Sequence, residues 1–137
     1  MMSDKQTTIK GMHVMDRLED GLAERVSRRL SELDSDLPRL ITDYAFGSVV
    51  ARPGLDLKTR EMLTVASLIS LGNATPQLEL HMKAAINVGV SPEELLEVVI
   101  QMAVYAGVPA CMNGLASYRK IMNEKGLVLP GLKEEVA

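Results

Sequence analysis

Apolar side chains recur at Leu18, Leu22, Val26, Leu30 and Leu33, a spacing of three and four that predicts an amphipathic helix over about 14–33. Leu37, Leu40, Ile41, Tyr44 and Ala45 continue the pattern in a second helix. Arg52-Pro53-Gly54 ends it, because a proline disfavours helical geometry in the residue before it. Asp56 is placed to cap a third helix, Leu57 to Leu71, which stops at Gly72-Asn73. Thr75-Pro76 opens a fourth, with proline where its missing N–H costs nothing, and Gly89 closes it. Ser91 with Glu94 three residues on is a capping box for a fifth, and a sixth runs from Pro109 to about Lys125-Gly126. No segment alternates with period two. The pattern predicts an all-α chain: a six-helix bundle in one domain over 12–126, preceded by a flexible or docking arm at 1–11 and followed by a tail at 127–137.

Two of these helices are too apolar for a small monomer. From Met62 to Leu71 the only polar side chains are Thr64, Ser67 and Ser70, and from Leu95 to Ala106 only Glu97, Gln101 and the Tyr105 hydroxyl. A helix that is hydrophobic nearly all round is buried on most sides, so a homo-oligomer is expected.

Composition sharpens this picture. The 137 residues are 47% hydrophobic but only 3% aromatic, with no Trp and nine Met, so the core is aliphatic and thioether, which suits helices better than a β-sandwich. A net charge of −3 without any basic block argues against a nucleic-acid partner. No stretch approaches the length of a membrane span, since Glu97 and Gln101 interrupt the longest apolar run. Cys111 is the one cysteine, which excludes an internal disulfide and a CxxC pair. The first twenty residues carry Asp4, Asp16, Glu19 and Asp20 and no apolar run of signal length, so a reducing, cytoplasmic location is expected.

Two side chains break the apolar faces of their helices. Glu79, Lys83 and Asn87 form a polar stripe on the fourth helix, and His81 lies about 160° from its centre, on the buried side between Leu78 and Ala85. His81 is therefore either a satisfied core histidine or a general acid and hydrogen-bond donor. Glu61 shares its face with Leu57, Val65 and Leu68, so it either bends out to water or to Lys58 or Arg60, or it is buried with a partner. Counted outward from the link between the two helices, Glu61 and His81 are offset by roughly 7 Å, within reach of contact in one chain or across a subunit interface. His13 is the other histidine, and with no carboxylate at ligand spacing beside His81 no metal site is expected. Cys111, in the first turn of a helix, reads as a small buried hydrophobe.

The segments Tyr44-Ala45-Phe46-Gly47, Arg52-Pro53-Gly54-Leu55-Asp56-Leu57 running into Thr59-Arg60-Glu61, Glu79-Leu80-His81, Asn87-Val88-Gly89-Val90 and Ala103-Val104-Tyr105-Ala106-Gly107-Val108-Pro109-Ala110 together resemble the γ-carboxymuconolactone decarboxylase family, in order and spacing, over roughly residues 38–118. The resemblance implies an all-α homo-oligomer, often a hexamer, with a trimer the other expectation. It implies a cofactor-free site around His81 and Glu61, with Tyr44 and Arg52 as candidate substrate-binding residues. The implied reaction is loss of CO₂ from 4-carboxymuconolactone, or a related small lactone carboxylate, to give an enol-lactone in aromatic-compound breakdown. The alkylhydroperoxidase D-type branch of the superfamily carries a CxxC pair before the same histidine; here those places hold Ala74 and Gln77, so a peroxidase-like antioxidant role is disfavoured. After Tyr44-Ala45-Phe46-Gly47, where decarboxylases of the family commonly have an acidic residue and a tryptophan, this chain has Ser48-Val49-Val50-Ala51. A non-catalytic helical oligomer is the alternative reading.

Overall fold

In the computed structural model the described residues, 4–136, with side chains to residue 133, form eight helices and no strand. The all-helical expectation is met, but with two helices more than the six anticipated. The chain divides into two compact units, Met1–Leu57 and Lys58–Ala137, where one domain over 12–126 was expected.

In the first unit the long helix expected over 14–33 is two helices, α1 (Asp4–Leu18) and α2 (Leu22–Ser31). Gly21 separates them with a left-handed φ of 74°, which glycine adopts without the steric cost of a Cβ. The Asp16 carboxylate then accepts from the Ala23 N–H at 3.0 Å, so α1 satisfies an amide that the start of α2 leaves free. Residues 4–11 are the first half of α1 rather than a loose arm, and Gly11 is buried; Met1 to Ser3 lie outside the described residues.

The second expected helix winds as a π-helix over Arg39–Val50, with the Ala51 N–H bonded to the Phe46 carbonyl five residues back at 2.8 Å. Such geometry usually occurs as a single turn, and an apolar spacing of three and four carries no signal for it. Two glycines let α1 and the π-helix meet backbone to backbone. A Cβ on Gly11 would lie 1.9 Å from the Thr42 carbonyl oxygen, and one on Gly47 would lie 2.3 Å from that of Thr7. Gly11→Ala should therefore destabilise the chain by about 1–3 kcal/mol through overpacking, outweighing the gain of roughly 1 kcal/mol in helix propensity. Gly54, where nothing lies within 4 Å of an added Cβ, is the control: thermal melts should show a lower midpoint for Gly11→Ala and little change for Gly54→Ala.

The second unit holds α3 (Leu57–Leu71) from its second residue on, α4 (Thr75–Asn87), α5 (Pro92–Tyr105), α6 (Val108–Glu124) and α7 (Pro130–Val136). Val65 and Ile69 of α3, Leu78, Met82 and Ala85 of α4, Leu95 and Val99 of α5, and Ile121 and Met122 of α6 form one buried core. It is the aliphatic and thioether core that the composition requires. The capping box of α5 is present: the Glu94 N–H donates to Ser91 Oγ and the Ser91 N–H to Glu94 Oε1, both at 3.0 Å. The Tyr118 hydroxyl fixes α6 to the start of α5 by donating to the Pro92 carbonyl at 2.8 Å. Burial, helped by the nearby Glu93 charge, pushes that phenol up to about 12.

Residues 127–136 are not a free tail. Leu127 and Leu129 rest on the core, and Lys133 of α7 reaches Glu93 at 2.6 Å. Docking against an existing apolar surface orders a segment whose own sequence is too short and polar to announce a helix. Among the described residues no helix is long and apolar enough to cross a membrane.

Candidate active site

On α3 the row Glu61, Val65, Ile69 repeats every four residues, and all three side chains are buried. Glu61 therefore occupies a core position and is only 1% exposed. An isolated carboxylate there would be costly, and its answer is His81: Nδ1 of the imidazole lies 2.8 Å from Glu61 Oε2. Glu61 bends neither to water nor to Lys58, which pairs with Glu94 at 3.1 Å. The contact between Glu61 and His81 forms within one chain.

The orientation of His81 is set from the other side of its helix. Glu79, Lys83 and Asn87, the stripe at four-residue spacing, face α6: Lys120 Nζ lies 2.8 Å from Glu79 Oε1, Glu124 Oε2 lies 3.6 Å from Lys83 Nζ, and Lys125 Nζ donates to Asn87 Oδ1 at 2.8 Å. Ser117 Oγ also donates to Glu79 Oε2, at 3.3 Å. Glu79 holds the Lys120 ammonium above the usual lysine range, chiefly through the hydrogen bond and secondly through its charge. Exposed pairs of this kind contribute little stability, but together with the buried row Leu78, Met82 and Ala85 they fix the rotation of α4. Two residues along a helix is about 200°, so with Glu79 turned to α6, His81 is turned away from it and meets Glu61.

Sequence reasoning saw the stripe but not its partner. The signal was available in Ser117, Lys120 and Glu124, which repeat at three and four with charges complementary to Glu79 and Lys83.

An ionised Glu61 can only accept, so it requires the His81 proton on Nδ1 and leaves Nε2 as the nitrogen not engaged by the carboxylate. Among the described residues Nε2 has no hydrogen-bond partner, and the His81 side chain is 14% exposed. A buried carboxylate behind an imidazole with one free nitrogen can position a proton donor and stabilise the imidazolium that precedes donation.

Tyr44, on the π-helix, is 65% exposed, and Arg52, just beyond it, is also exposed; both belong to the first unit, whereas Glu61 and His81 belong to the second. Cys111 is free and buried in the first turn of α6, as its reading as a small hydrophobe anticipates. His13 is exposed on α1. No cluster of three or more potential metal ligands occurs among the described residues.

A family model described as "Carboxymuconolactone decarboxylase family" matches residues 35–119, a span that contains Glu61 and His81. The chain belongs to the carboxymuconolactone decarboxylase family. The chain is 31% identical to a 4-carboxymuconolactone decarboxylase of Acinetobacter baylyi over 127 residues, 92% of this chain and 94% of that protein. It is 42% identical to the nitrosuccinic acid decarboxylase npaB of Metarhizium robertsii over 85 residues, 62% of this chain and 59% of that one. An uncharacterised 15.0 kDa protein of Paracoccus denitrificans, from the nqo9-nqo10 intergenic region, is 30% identical over 99 residues, 72% of this chain and 74% of that protein. Membership of the carboxymuconolactone decarboxylase family is therefore carried by a match to more than half the chain and by one relative along nearly its whole length.

Proposed function

We propose that the chain is a cofactor-independent carboxy-lyase of the 4-carboxymuconolactone decarboxylase type, with His81 as general acid and Glu61 as the carboxylate that orients and charges it. The observation that carries this reading is the 2.8 Å contact between His81 Nδ1 and a 1%-exposed Glu61 in a chain of this family. A core histidine needs only a hydrogen-bond partner. A buried carboxylate, by contrast, is an expensive partner to maintain and is common where charge must be stabilised during a reaction.

The chemistry follows from the substrate class. In 4-carboxymuconolactone the C–C bond to the leaving carboxylate breaks, its electron pair delocalises through the ring alkene onto the lactone carbonyl, and CO₂ departs. One proton then enters at carbon to give the enol-lactone. His81, as imidazolium, donates that proton from Nε2, Glu61 stabilises the cation from Nδ1, and water restores the proton for the next turnover. Tyr44 and Arg52 are proposed to bind the substrate, Arg52 through a carboxylate, for which its guanidinium geometry suits it.

The likeness to a nitrosuccinic acid decarboxylase favours a second substrate class. A nitro group beside the departing carboxylate accepts the electron pair as the lactone carbonyl does, and the same donor completes the reaction. The direct test incubates the chain with 4-carboxymuconolactone and with nitrosuccinate, following CO₂ release and loss of substrate absorbance. Turnover of either supports the lyase reading, and inertness toward both overturns it at the level of substrate.

A homo-oligomer, as hexamer or trimer, belongs to the same proposal, and a cytoplasmic setting suits it. Ile100, Val104 and Tyr105 of α5 and Val108 of α6 are 45%, 78%, 77% and 62% exposed in the single chain, in one continuous stretch of sequence. Covering them would recover roughly 25 cal/mol per Å² of apolar surface. Sedimentation at micromolar concentration should show a species several times the 14.9 kDa of one chain, and Val104→Glu should shift it toward the monomer. A stable monomer in the unaltered protein would contradict the expectation.

A further inference from the structure

On the side of the second unit formed by α5, α6 and α7 lies a groove of about 550 Å³, within the range of roughly 300–1,000 Å³ typical of small-molecule sites. Its floor and walls are Leu96, Met112, Leu115, Leu129 and Leu132. Neither Glu61 nor His81 lines it, and among the described residues no carboxylate does. Met112 and Leu132 are 59% and 47% exposed, which leaves two large apolar side chains facing water in a concavity.

One polar group in the groove is unspent. The Tyr118 hydroxyl is committed to the Pro92 carbonyl, so this residue offers a ring face. Arg119 also lines the groove, and its guanidinium has no ion pair and no hydrogen bond among the described residues. That sets it apart from its neighbours. In the same unit Lys58, Lys83, Lys120 and Lys133 each have a carboxylate partner, Lys125 bonds Asn87, and Arg60 has an interaction of its own. Among the described residues Arg119 is thus the Lys or Arg of this unit without a polar partner, it stands beside the apolar groove, and an arginine presents a planar fork that matches a carboxylate.

We propose that this groove binds a small amphipathic monocarboxylate, its hydrocarbon body against Leu96, Met112, Leu115 and Leu132 and its carboxylate on Arg119. The charge selects the ligand class: a cationic amphiphile would meet an unpaired guanidinium, and a neutral one would leave it unmatched. The proposal is independent of the decarboxylase reading, because the groove shares no residue with the site of Glu61 and His81.

Octanoate serves as the probe, with the chain labelled on its methionine methyl groups and the Met112 signal followed by NMR. The expected result is a saturable shift of Met112, at least tenfold weaker binding of octanol, and at least a tenfold loss of octanoate affinity in Arg119→Gln. Arg119→Lys should fall between, since it keeps the charge and loses the fork. Arg119 is exposed, and melting curves of both variants confirm that the fold is kept. Equal affinity for octanoate and octanol, or an Arg119→Gln variant that binds octanoate unchanged, would reduce the groove to a greasy surface and overturn the proposal. An absence of saturable binding, together with a change of sedimentation in Arg119→Gln, would assign the groove to a second copy of the chain and overturn it as well.

Discussion

His81→Asn should lower turnover by about 10²–10⁴ while leaving a folded protein. The asparagine amide can still donate to Glu61 from the place of Nδ1, so the buried carboxylate keeps a partner, but it has no nitrogen that can release a proton at neutral pH. The loss corresponds to roughly 3–5 kcal/mol of barrier. His81→Ala behaves differently, because it strands a carboxylate that is 1% exposed and should cost about 3–5 kcal/mol of stability. Turnover and melting curves of both variants separate the readings. An Asn variant that is folded and fully active would show His81 to be a core histidine and remove the general acid from the mechanism.

Glu61→Gln should keep most of the stability and lose about tenfold in turnover. The glutamine oxygen accepts from His81 as the carboxylate does, but without the negative charge the bond loses its charge assistance, a difference of about 1–1.5 kcal/mol. That difference matters most when the imidazole is protonated, so it falls on kcat rather than KM. Glu61→Ala should add a stability loss of about 2–4 kcal/mol from the vacated core position and the unmatched His81 donor. Steady-state kinetics with each variant at matched folded fraction is the check. A Gln variant in which KM rises and kcat stays would assign Glu61 to binding.

The second unit was the more legible half of the sequence. The boundaries of α3, α4 and α5 followed from Gly72, Thr75-Pro76, Gly89 and the Ser91–Glu94 box, all of them local signals within a few residues of the break they cause. Glu61 and His81 were legible for a similar reason: each is a polar residue on a row whose other members are apolar, and that row is a local pattern. Their contact was not, since a helical count gives an axial offset and cannot give the rotation of α4. That rotation comes from Lys120 and Glu124, about forty residues further along, and only the structure joins them to Glu79 and Lys83. The first unit was misread where one backbone angle decides. Gly21 sits inside an unbroken apolar repeat, and nothing in the repeat distinguishes a tolerated glycine from one that turns the chain. The π-helix is the extreme case, because its apolar positions are those of an α-helix while its backbone lies directly against that of α1 at Gly11 and Gly47.

The dependence of α4 on α6 has a consequence for how the protein is born. Glu61 and His81 are 20 residues apart, so bringing them together closes a short loop at small entropic cost, and both are synthesised before α6. Ser117 and Lys120, which turn His81 toward its partner, are synthesised 38 and 41 residues after Glu79. A nascent chain halted after α4 therefore carries both chemical groups without the device that aligns them. Alignment arrives only with α6, and until then the emerging polypeptide holds a histidine that is not yet aimed at its carboxylate.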